Sequence, residues 1–422
     1  MNYQLIKDSY NIHLIKTKKF KTLLLKIVFT GKFEKSEITK RNLLVDNLCF
    51  SCEKCPTARK MSIIKQDLYG LDVYASNKRT GNYFITEFNL SMLNPKYTEE
   101  DMLNLSFDFF YNVLFKPNVT NNKFNEEMFE LTKEHARDEI KSIKENPTLY
   151  ANIKLKQSLG DFPFSYHMEG YLEDLEEITS SSLYSYYKEF LINNNIDIFL
   201  IGDYDEKAIN IINDKFKFNN KNKEINDFYI EYKNNKKDIV FLEENSKFKQ
   251  TYLTIACSLE KLNVKEKKYV SAIYNVIFGN GPDSKLFKNV REKKSLAYSI
   301  SSSFRRTDDL LVINAGTNVD NYQDMIDSIK KEMKDMINGK FTNLDLENAK
   351  NLYISVVNEL FEYESSISEY YYNLLYLDLD KIEEEITNIN SITKEDVINL
   401  AKKINIDTIY LLKEEEYEKN TD

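Results

Sequence analysis

The second half of the chain repeats the first half, and this internal repeat restricts the fold more than any other feature of the sequence. The stretch from Asn122 to Glu130 is echoed by Gly339 to Glu347, and Ile178 to Leu183 is echoed by Ile392 to Val397. The members of the two pairs lie 217 and 214 residues apart. Two echoes in the same order at nearly one separation predict a duplicated domain of about 200 residues.

Each half has the same order of elements, with strands followed by helices. Alternation of polar and apolar residues predicts strands at 11–16 and 22–30 in the first half and at 238–242 and 250–258 in the second. Helical periodicity follows each pair of strands, at 36–52 and at 264–277. The sequence therefore predicts an α+β fold in each half, with a mostly antiparallel sheet and helices packed on one side.

A change in composition separates the halves. The stretch 218–237 is dominated by Asn, Lys, Glu and Asp and contains few large aliphatic residues, which is typical of a solvated linker. We therefore predict an N-terminal domain at 1–217, a linker at 218–237, a C-terminal domain at 238–413 and an acidic tail at 414–422.

The charge pattern argues against nucleic-acid and membrane partners. The net charge is −9, and lysines are interleaved with acidic residues instead of forming a basic stripe. The apolar run 23–25 lies between Lys21 and Lys26, so it is neither a signal peptide nor a membrane span. We expect a cytoplasmic protein, and four cysteines are compatible with a reducing compartment.

Three of the cysteines, Cys49, Cys52 and Cys55, are spaced three residues apart. A metal cluster would need a fourth ligand, and no further Cys or His lies nearby in the sequence. The spacing favours small, partly buried helix residues over a metal site.

One stretch of the second half, 278–303, has an unusual composition. Two of the ten glycines, Gly279 and Gly281, lie within three positions, and a helix-forming run and a serine-rich strand follow them. Arg291 and Tyr298 flank the junction between that helix and that strand. Residue types alone favour an ordinary loop, helix and strand here.

The doubled α+β half, the helix from Ser36 and the stretch from Gly279 to Tyr298 together resemble the insulinase/pitrilysin-like zinc peptidases, or inverzincins. The resemblance runs from Asn11 to about Lys413 and implies two homologous domains of the insulinase/mitochondrial-processing-peptidase type. Within the family, the chain is similar to the YmfF-like group of bacterial zinc-less paralogues. That similarity implies a link to the modification of a translation factor.

The catalytic signature of the family is H-x-x-E-H on the first helix, where two histidines bind zinc and the glutamate is the general base. The resemblance places this signature on residues 43–47, so that Leu43 and Asn47 stand in the histidine positions and Asp46 in the glutamate position. Glu139 falls near the third ligand. We therefore expect these to be degenerate zinc-site positions, with no cofactor in this chain and zinc only in a partner subunit. The chain has only three histidines, His13, His135 and His167.

The second family pattern, R-x-x-x-G-L-x-Y, is kept almost completely. Arg291 and Tyr298 match its arginine and tyrosine, which in the family hold the substrate backbone and stabilise the oxyanion. Ser295 replaces the glycine, and we expect this to be tolerated if the turn does not need a positive φ.

Three functions follow from the resemblance. The first is a non-catalytic subunit that binds a peptide and donates Arg291 and Tyr298 to the zinc site of an H-x-x-E-H-bearing paralogue, as a heterodimer, or else forms a homodimer. The second is a pseudo-peptidase scaffold without a proteolytic role. The third is a hydrolase with a rebuilt metal site formed by Asp46, Glu139 and a cysteine.

Overall fold

Each half of the chain builds one large sheet, the first half adds a two-stranded sheet, and the two large sheets share one strand order. The computed structural model describes residues 1–99, 101–234 and 238–415. The strands are β1 (Asn2–Lys7), β2 (Asn11–Lys16), β3 (Thr22–Lys32), β4 (Asp72–Thr80), β5 (Tyr83–Leu93), the short pair β6 (Val119–Thr120) and β7 (Lys123–Phe124), β8 (Asn195–Gly202), β9 (Val240–Ser246), β10 (Thr251–Leu259), β11 (Ser299–Arg305), β12 (Leu310–Thr317) and β13 (Ile404–Glu414).

The first sheet has the order β1-β2-β8-β3-β5-β4, and the second has the order β9-β13-β10-β12-β11. Apart from the additional β1, the orders correspond strand by strand. Each sheet contains one parallel pair, β2 with β8 and β9 with β13, and its other neighbours are antiparallel. The shared topology agrees with the predicted duplication and confirms the α+β class.

The helices fill the connections between the strands. They are α1 (Ile38–Phe50), α2 (Ala58–Asp67), α3 (Met102–Phe115), α4 (Glu126–Ser142), α5 (Pro147–Gln157), α6 (Leu172–Glu177), α7 (Ser180–Asn193), α8 (Glu206–Lys215), α9 (Ser271–Phe278), α10 (Tyr322–Ile337), α11 (Asn343–Glu359), α12 (Glu364–Tyr376), α13 (Ile382–Asn390) and α14 (Lys394–Ala401). Thr179 and Thr393, from the second sequence echo, form capping boxes at the starts of α7 and α14.

A third echo, which our sequence analysis missed, opens β8 and recurs in β13. Residues 195–197 and 405–407 both read Asn-Ile-Asp. Both aspartates are fully buried: Asp197 accepts a hydrogen bond from Asn11 (2.8 Å), and Asp407 accepts one from the Tyr232 hydroxyl (2.7 Å). A buried aspartate needs such partners, so the triplet carries a structural role in each half.

The chain divides into two units, and each contains a stretch from the opposite half of the sequence. The first unit comprises Met1–Ser142, His167–Phe228 and Phe361–Asn373, and the second comprises Ile143–Tyr166, Tyr229–Leu360 and the chain from Leu374 onward. The predicted domains are consecutive stretches, and their boundaries remain a prediction. The predicted acidic tail lies, from residue 416 onward, outside the described residues.

The stretch of the first half that belongs to the second unit contains α5, and the stretch of the second half that belongs to the first unit contains most of α12. These two helices begin 217 residues apart, the same separation as in the first sequence echo. Within the second unit, α5 packs on one face of the sheet through Ala151 and Leu155. Within the first unit, α12 lies against β3, where the hydroxyls of Tyr372 and Thr30 are 2.7 Å apart. Helices therefore cover part of a second sheet face, in addition to the single side that we predicted.

The predicted linker contains neither helix nor strand in its described part, 218–234, but it is not fully solvated. Phe228, Ile230 and Tyr232 are buried. The Asn222 side chain accepts a hydrogen bond from the Ile196 amide (2.7 Å) and donates one to the Ile196 carbonyl (2.8 Å), as a neighbouring strand would. Polar composition alone therefore did not reveal these contacts.

The two glycines of the stretch 278–303 serve different purposes. Gly279 ends α9 and accepts a backbone hydrogen bond from Ser302 of β11 (2.9 Å). A Cβ atom there would lie 2.4 Å from Ser302 Oγ and 2.8 Å from Leu286 Cδ1. Gly281 has open space around it but a φ of +108°, which favours glycine.

We expect Gly279→Ala to lower the free energy of unfolding by about 1–3 kcal/mol, because the added methyl group overpacks the junction of α9 and β11. Urea denaturation checks this, with the exposed neighbouring change Asn280→Ala as the control, expected to stay within about 0.5 kcal/mol of the parent. Equal effects of the two substitutions would contradict the close approach at Gly279.

Candidate functional site

Helix α1 carries three of the four predicted degenerate zinc-site positions, with Glu139 on α4, and the packing of α1 explains two of them. Eight of its thirteen residues are buried, so it lies within the core instead of along the surface. Leu43 is fully buried and contributes an apolar side chain to that core. A leucine offers no lone pair to a metal, so this position has a packing role.

Asn47, in the position of the second histidine, forms a buried hydrogen bond between helices. Its Nδ2 donates to Thr132 Oγ1 of α4 at 3.0 Å, and that hydroxyl donates to the Phe129 carbonyl at 2.9 Å. Both side chains are buried. Removing either partner would leave a buried polar group without a hydrogen bond, so Asn47 is committed to joining α1 to α4.

Asp46 lies beside α4 and is electrostatically close to Glu139, as the resemblance implied. Solvent reaches Asp46, but the surrounding protein removes part of its hydration, and the negative charge of Glu139 adds to this. Together they raise the pKa of Asp46 to about 6, while His135 opposes the shift. The proximity of His135 was missed; its spacing of four residues from Glu139 places both on one face of α4.

These residues do not fit zinc. At the positions where the resemblance expects two nitrogen donors, Leu43 has no lone pair to offer and Asn47 is already hydrogen-bonded. Within residues 1–99, 101–234 and 238–415, no three His, Cys, Asp or Glu side chains come together as a metal site would require. The rebuilt site with Asp46, Glu139 and a cysteine therefore gains no support.

The three spaced cysteines form the end of α1 and the turn after it. Cys52 and Cys55 are buried and exchange two backbone hydrogen bonds of 2.9 and 3.0 Å. Burial raises the pKa of the Cys49 and Cys55 thiols to about 12. Thiols with raised pKa values are poor nucleophiles and poor metal ligands, so Cys49 and Cys55 fit a packing role. The prediction of helix residues holds for Cys49 alone, because α1 ends at Phe50, before Cys52 and Cys55.

Arg291 lies on a π-helical segment, Phe287–Glu292, in the second unit. Its guanidinium carbon is 4.6 Å from the centre of the Phe287 ring, which fits a cation–π contact, and the side chain is exposed. Segments of π-helix are rare and are frequent at functional sites. A second π-helical segment, Glu266–Val270, lies in the same unit, so this geometry by itself assigns no role to Arg291.

Ser295 ends this helix in a left-handed conformation, with a φ of +52°. Its amide donates to the Arg291 carbonyl at 3.1 Å, and the next amide, of Leu296, donates to the Val290 carbonyl at 3.1 Å. This is the C-terminal cap for which glycine is preferred. We expected the turn to tolerate serine if its φ were not positive. The φ of Ser295 is positive, so that condition is not met.

Tyr298 follows the turn and enters the edge of the second sheet. Its amide donates to the Gly316 carbonyl (2.8 Å), and its hydroxyl donates to Asn318 Oδ1 (2.5 Å). About half of the side chain, 52%, is exposed. Arg291 and Tyr298 thus lie on either side of one turn, each exposed and each with its own local contact, and their role toward a substrate remains a prediction.

We expect Asp46→Asn to increase stability at pH 8 but to have little effect below about pH 4. The pKa of Asp46 is higher in the folded chain than the usual value of 3.8, so its negative charge lowers the free energy of unfolding above pH 6. As the pH falls toward 3.8, Asp46 becomes protonated in the unfolded chain as well, and this destabilisation disappears. Urea midpoints at both pH values check this. Glu139→Gln should give part of the same gain, and a pH-independent effect would contradict the repulsion.

We expect Ser295→Gly to stabilise the chain by about 1 kcal/mol, because glycine adopts the left-handed conformation without the clash of a Cβ atom. Ser295→Ala is the matched control, since it removes the hydroxyl but keeps the Cβ atom. Thermal denaturation distinguishes the two, and a gain for alanine equal to that for glycine would show that conformational strain is not the cause.

Comparison with known proteins finds sequences similar to this chain. Residues 177–353 match the peptidase M16 inactive domain. The chain is 27% identical to the "Probable inactive metalloprotease YmfF" of Bacillus subtilis (strain 168) over 95% of each chain. It is 26% identical to the "Uncharacterized zinc protease YmxG" of the same organism over 67% of this chain and 69% of that protein.

Solved structures extend the similarity to the whole fold. A conserved protein from Enterococcus faecalis V583 superposes with a TM-score of 0.90 at 25% identity, covering 99% of this chain and 100% of that one. The peptidase M16 inactive domain from Pseudomonas fluorescens superposes with a TM-score of 0.78 at 18% identity, over 99% and 100% of the two chains, and shows the fold alone.

None of the helices in the described part of the chain has the length and apolar character needed to span a bilayer. The family match lies in the second part of the chain and does not include residues 43–47, whereas the match to the probable inactive metalloprotease covers 95% of the chain. The chain is therefore similar to the insulinase/pitrilysin-like M16 peptidases, through the match of residues 177–353 to the inactive domain of that family and through a relative named as a probable inactive metalloprotease.

Proposed function

We propose that this chain is the non-catalytic subunit of a heteromeric M16-type peptidase. In this proposal it binds an extended peptide and contributes Arg291 and Tyr298 to the zinc site of a paralogue that carries H-x-x-E-H. One observation carries the proposal. The histidine positions have become a core leucine and a structural asparagine, whereas the arginine and tyrosine of the second pattern are kept and exposed.

The chemistry of the two side chains suits this role. The Arg291 guanidinium and the Tyr298 hydroxyl are hydrogen-bond donors that can hold a peptide carbonyl and the oxyanion formed when water attacks it. Tyr298 would exchange its bond to Asn318 for one to the substrate. The zinc and the general base would belong to the partner, and we place this complex in the cytoplasm.

A second candidate function is a scaffold that assembles with a partner and has no part in proteolysis. The contacts of the same pair favour it: Arg291 already covers Phe287, and Tyr298 already bonds to Asn318. On this account the two residues stabilise the turn around Ser295, and the similarity to the family pattern reflects folding alone. A link to translation-factor modification would belong to this function.

Reconstitution distinguishes the two functions. The chain is purified alone and together with an H-x-x-E-H paralogue from the same genome, and zinc content and peptide cleavage are measured. We expect neither zinc nor cleavage for the chain alone, and cleavage by the complex. Arg291→Ala should lower kcat/KM of the complex by about 100-fold or more, since one oxyanion donor has an effect of that size.

Lys294→Ala is the matched control, because it removes a neighbouring exposed cation at a position that the family pattern leaves unspecified. It should leave kcat/KM within about twofold of the parent, well below the effect of one lost oxyanion donor. If the Arg291→Ala complex assembles and cleaves as well as the parent, the donor role is wrong. A stable complex without cleavage would instead support the scaffold.

A further inference from the structure

A cavity of about 410 Å³ lies between α9 and α11 in the second unit, and nothing proposed so far uses it. Val276 and Ile277 of α9 and Ala349 and Leu352 of α11 form its apolar lining. This volume is within the range of sites that accept one or two large side chains or a small ligand. The cavity can therefore receive an apolar anchor from a partner.

Three lysines, Lys285, Lys288 and Lys293, line the same cavity. They belong to the stretch 284–294, which has five basic residues and one acidic residue in a chain of net charge −9. The cavity lining also includes Asp283 and Asp345, so its three lysines exceed its carboxylates by one. The rim is thus slightly basic in an acidic protein, and it favours an acidic partner.

The lysines differ in how far they are already neutralised. Lys285 is paired with Glu332 at 3.0 Å, and Lys288 with the exposed Asp283 at 2.7 Å. Lys293 donates to the amide oxygen of Asn289 at 3.0 Å, and no carboxylate contacts it within the described part of the chain. Lys293 is therefore the cation most available to an incoming carboxylate, and Lys288 can exchange a surface partner, since exposed pairs contribute little.

Helix α11 continues the apolar surface beyond the cavity. Leu352 and Val356 lie one turn apart and are 47% and 54% exposed. Exposed large apolar residues that adjoin an apolar cavity are typical of interaction surfaces. Cavity and helix together form a groove of the kind that receives the apolar face of an amphipathic helix.

The internal repeat relates this groove to the charged surface near Asp46 in the first half. By the separation of 217 residues that relates α4 to α11, Leu352 and Val356 correspond to His135 and Glu139, which lie beside Asp46. The corresponding helix face is charged in the first half and apolar in the second. The two halves therefore present surfaces of different chemistry on the same scaffold.

We infer that the groove between α9 and α11 binds an acidic amphipathic helix of a partner protein. A large apolar side chain of that helix enters the cavity against Leu352, and its flanking carboxylates meet Lys288 and Lys293. The inference goes beyond the proposed subunit function, because it involves neither Arg291 nor Tyr298.

The test uses the full chain and a fluorescein-labelled peptide of about 18 residues, with leucine at spacings of three and four and glutamate at most other positions. A second peptide replaces each glutamate with lysine. Fluorescence anisotropy should show at least tenfold tighter binding of the acidic peptide. The double variant Lys288→Glu/Lys293→Glu and the single variant Leu352→Ser should each weaken its binding at least tenfold.

Two controls match these variants. Lys221→Glu/Lys223→Glu makes the same charge change at exposed lysines of the first unit, and Leu344→Ser removes an exposed leucine of α11 that does not line the cavity. Both should bind the acidic peptide within twofold of the parent. Equal binding of the two peptides, no binding of the acidic peptide, or unchanged binding by the groove variants would overturn the inference. So would a dimer of the parent chain that Leu352→Ser dissociates, because the groove would then be covered by a second copy.

Discussion

The hydrogen bond from Asn47 to Thr132 joins α1 to α4, and the arrangement of the predicted degenerate zinc-site positions on these two helices depends on it. In a zinc-binding relative, a metal ion would tie the first helix to α4 through its ligands. Here a buried amide and a buried hydroxyl join the same two helices. The bond needs no cofactor, and it cannot be given up for a metal without leaving polar groups unpaired. The chain keeps the scaffold of a peptidase while its ligand positions hold the helices together.

Duplication explains how the two halves can differ in chemistry at equivalent places of one fold. The two large sheets share one strand order, and α4 and α11 occupy equivalent places. The first half carries Asp46, His135 and Glu139 on its version of that surface, and the second half carries an apolar helix face with a slightly basic rim. The turn with Arg291 and Tyr298 lies next to that rim in sequence. Each half can therefore specialise while the shared packing is kept.

Much of the fold could be predicted because its signals are local. The strand-forming runs of β2 and β3 and the capping residues Thr179 and Thr393 depend on neighbours a few residues apart, although both strands are buried on both faces and do not show the alternation that was expected. The left-handed conformation of Ser295 was not predicted, because it results from where β11 must enter the sheet after the preceding helix. The proximity of His135 to Asp46 was missed for a similar reason, since it depends on the packing of two helices distant in sequence.

The sequence by itself predicted the duplicated α+β fold, and its resemblance to a peptidase family placed Leu43 and Asn47 at the histidine positions and Arg291 and Tyr298 in the second pattern, because these expectations follow from residue identity and spacing. Only the tertiary structure decided what the replacements do. It assigned Leu43 to the core, committed Asn47 to Thr132 and brought α9 and α11 together around a cavity. The physical reason is that burial and hydrogen-bond partners depend on segments far apart in the chain. Local sequence patterns do not indicate which of these segments pack together.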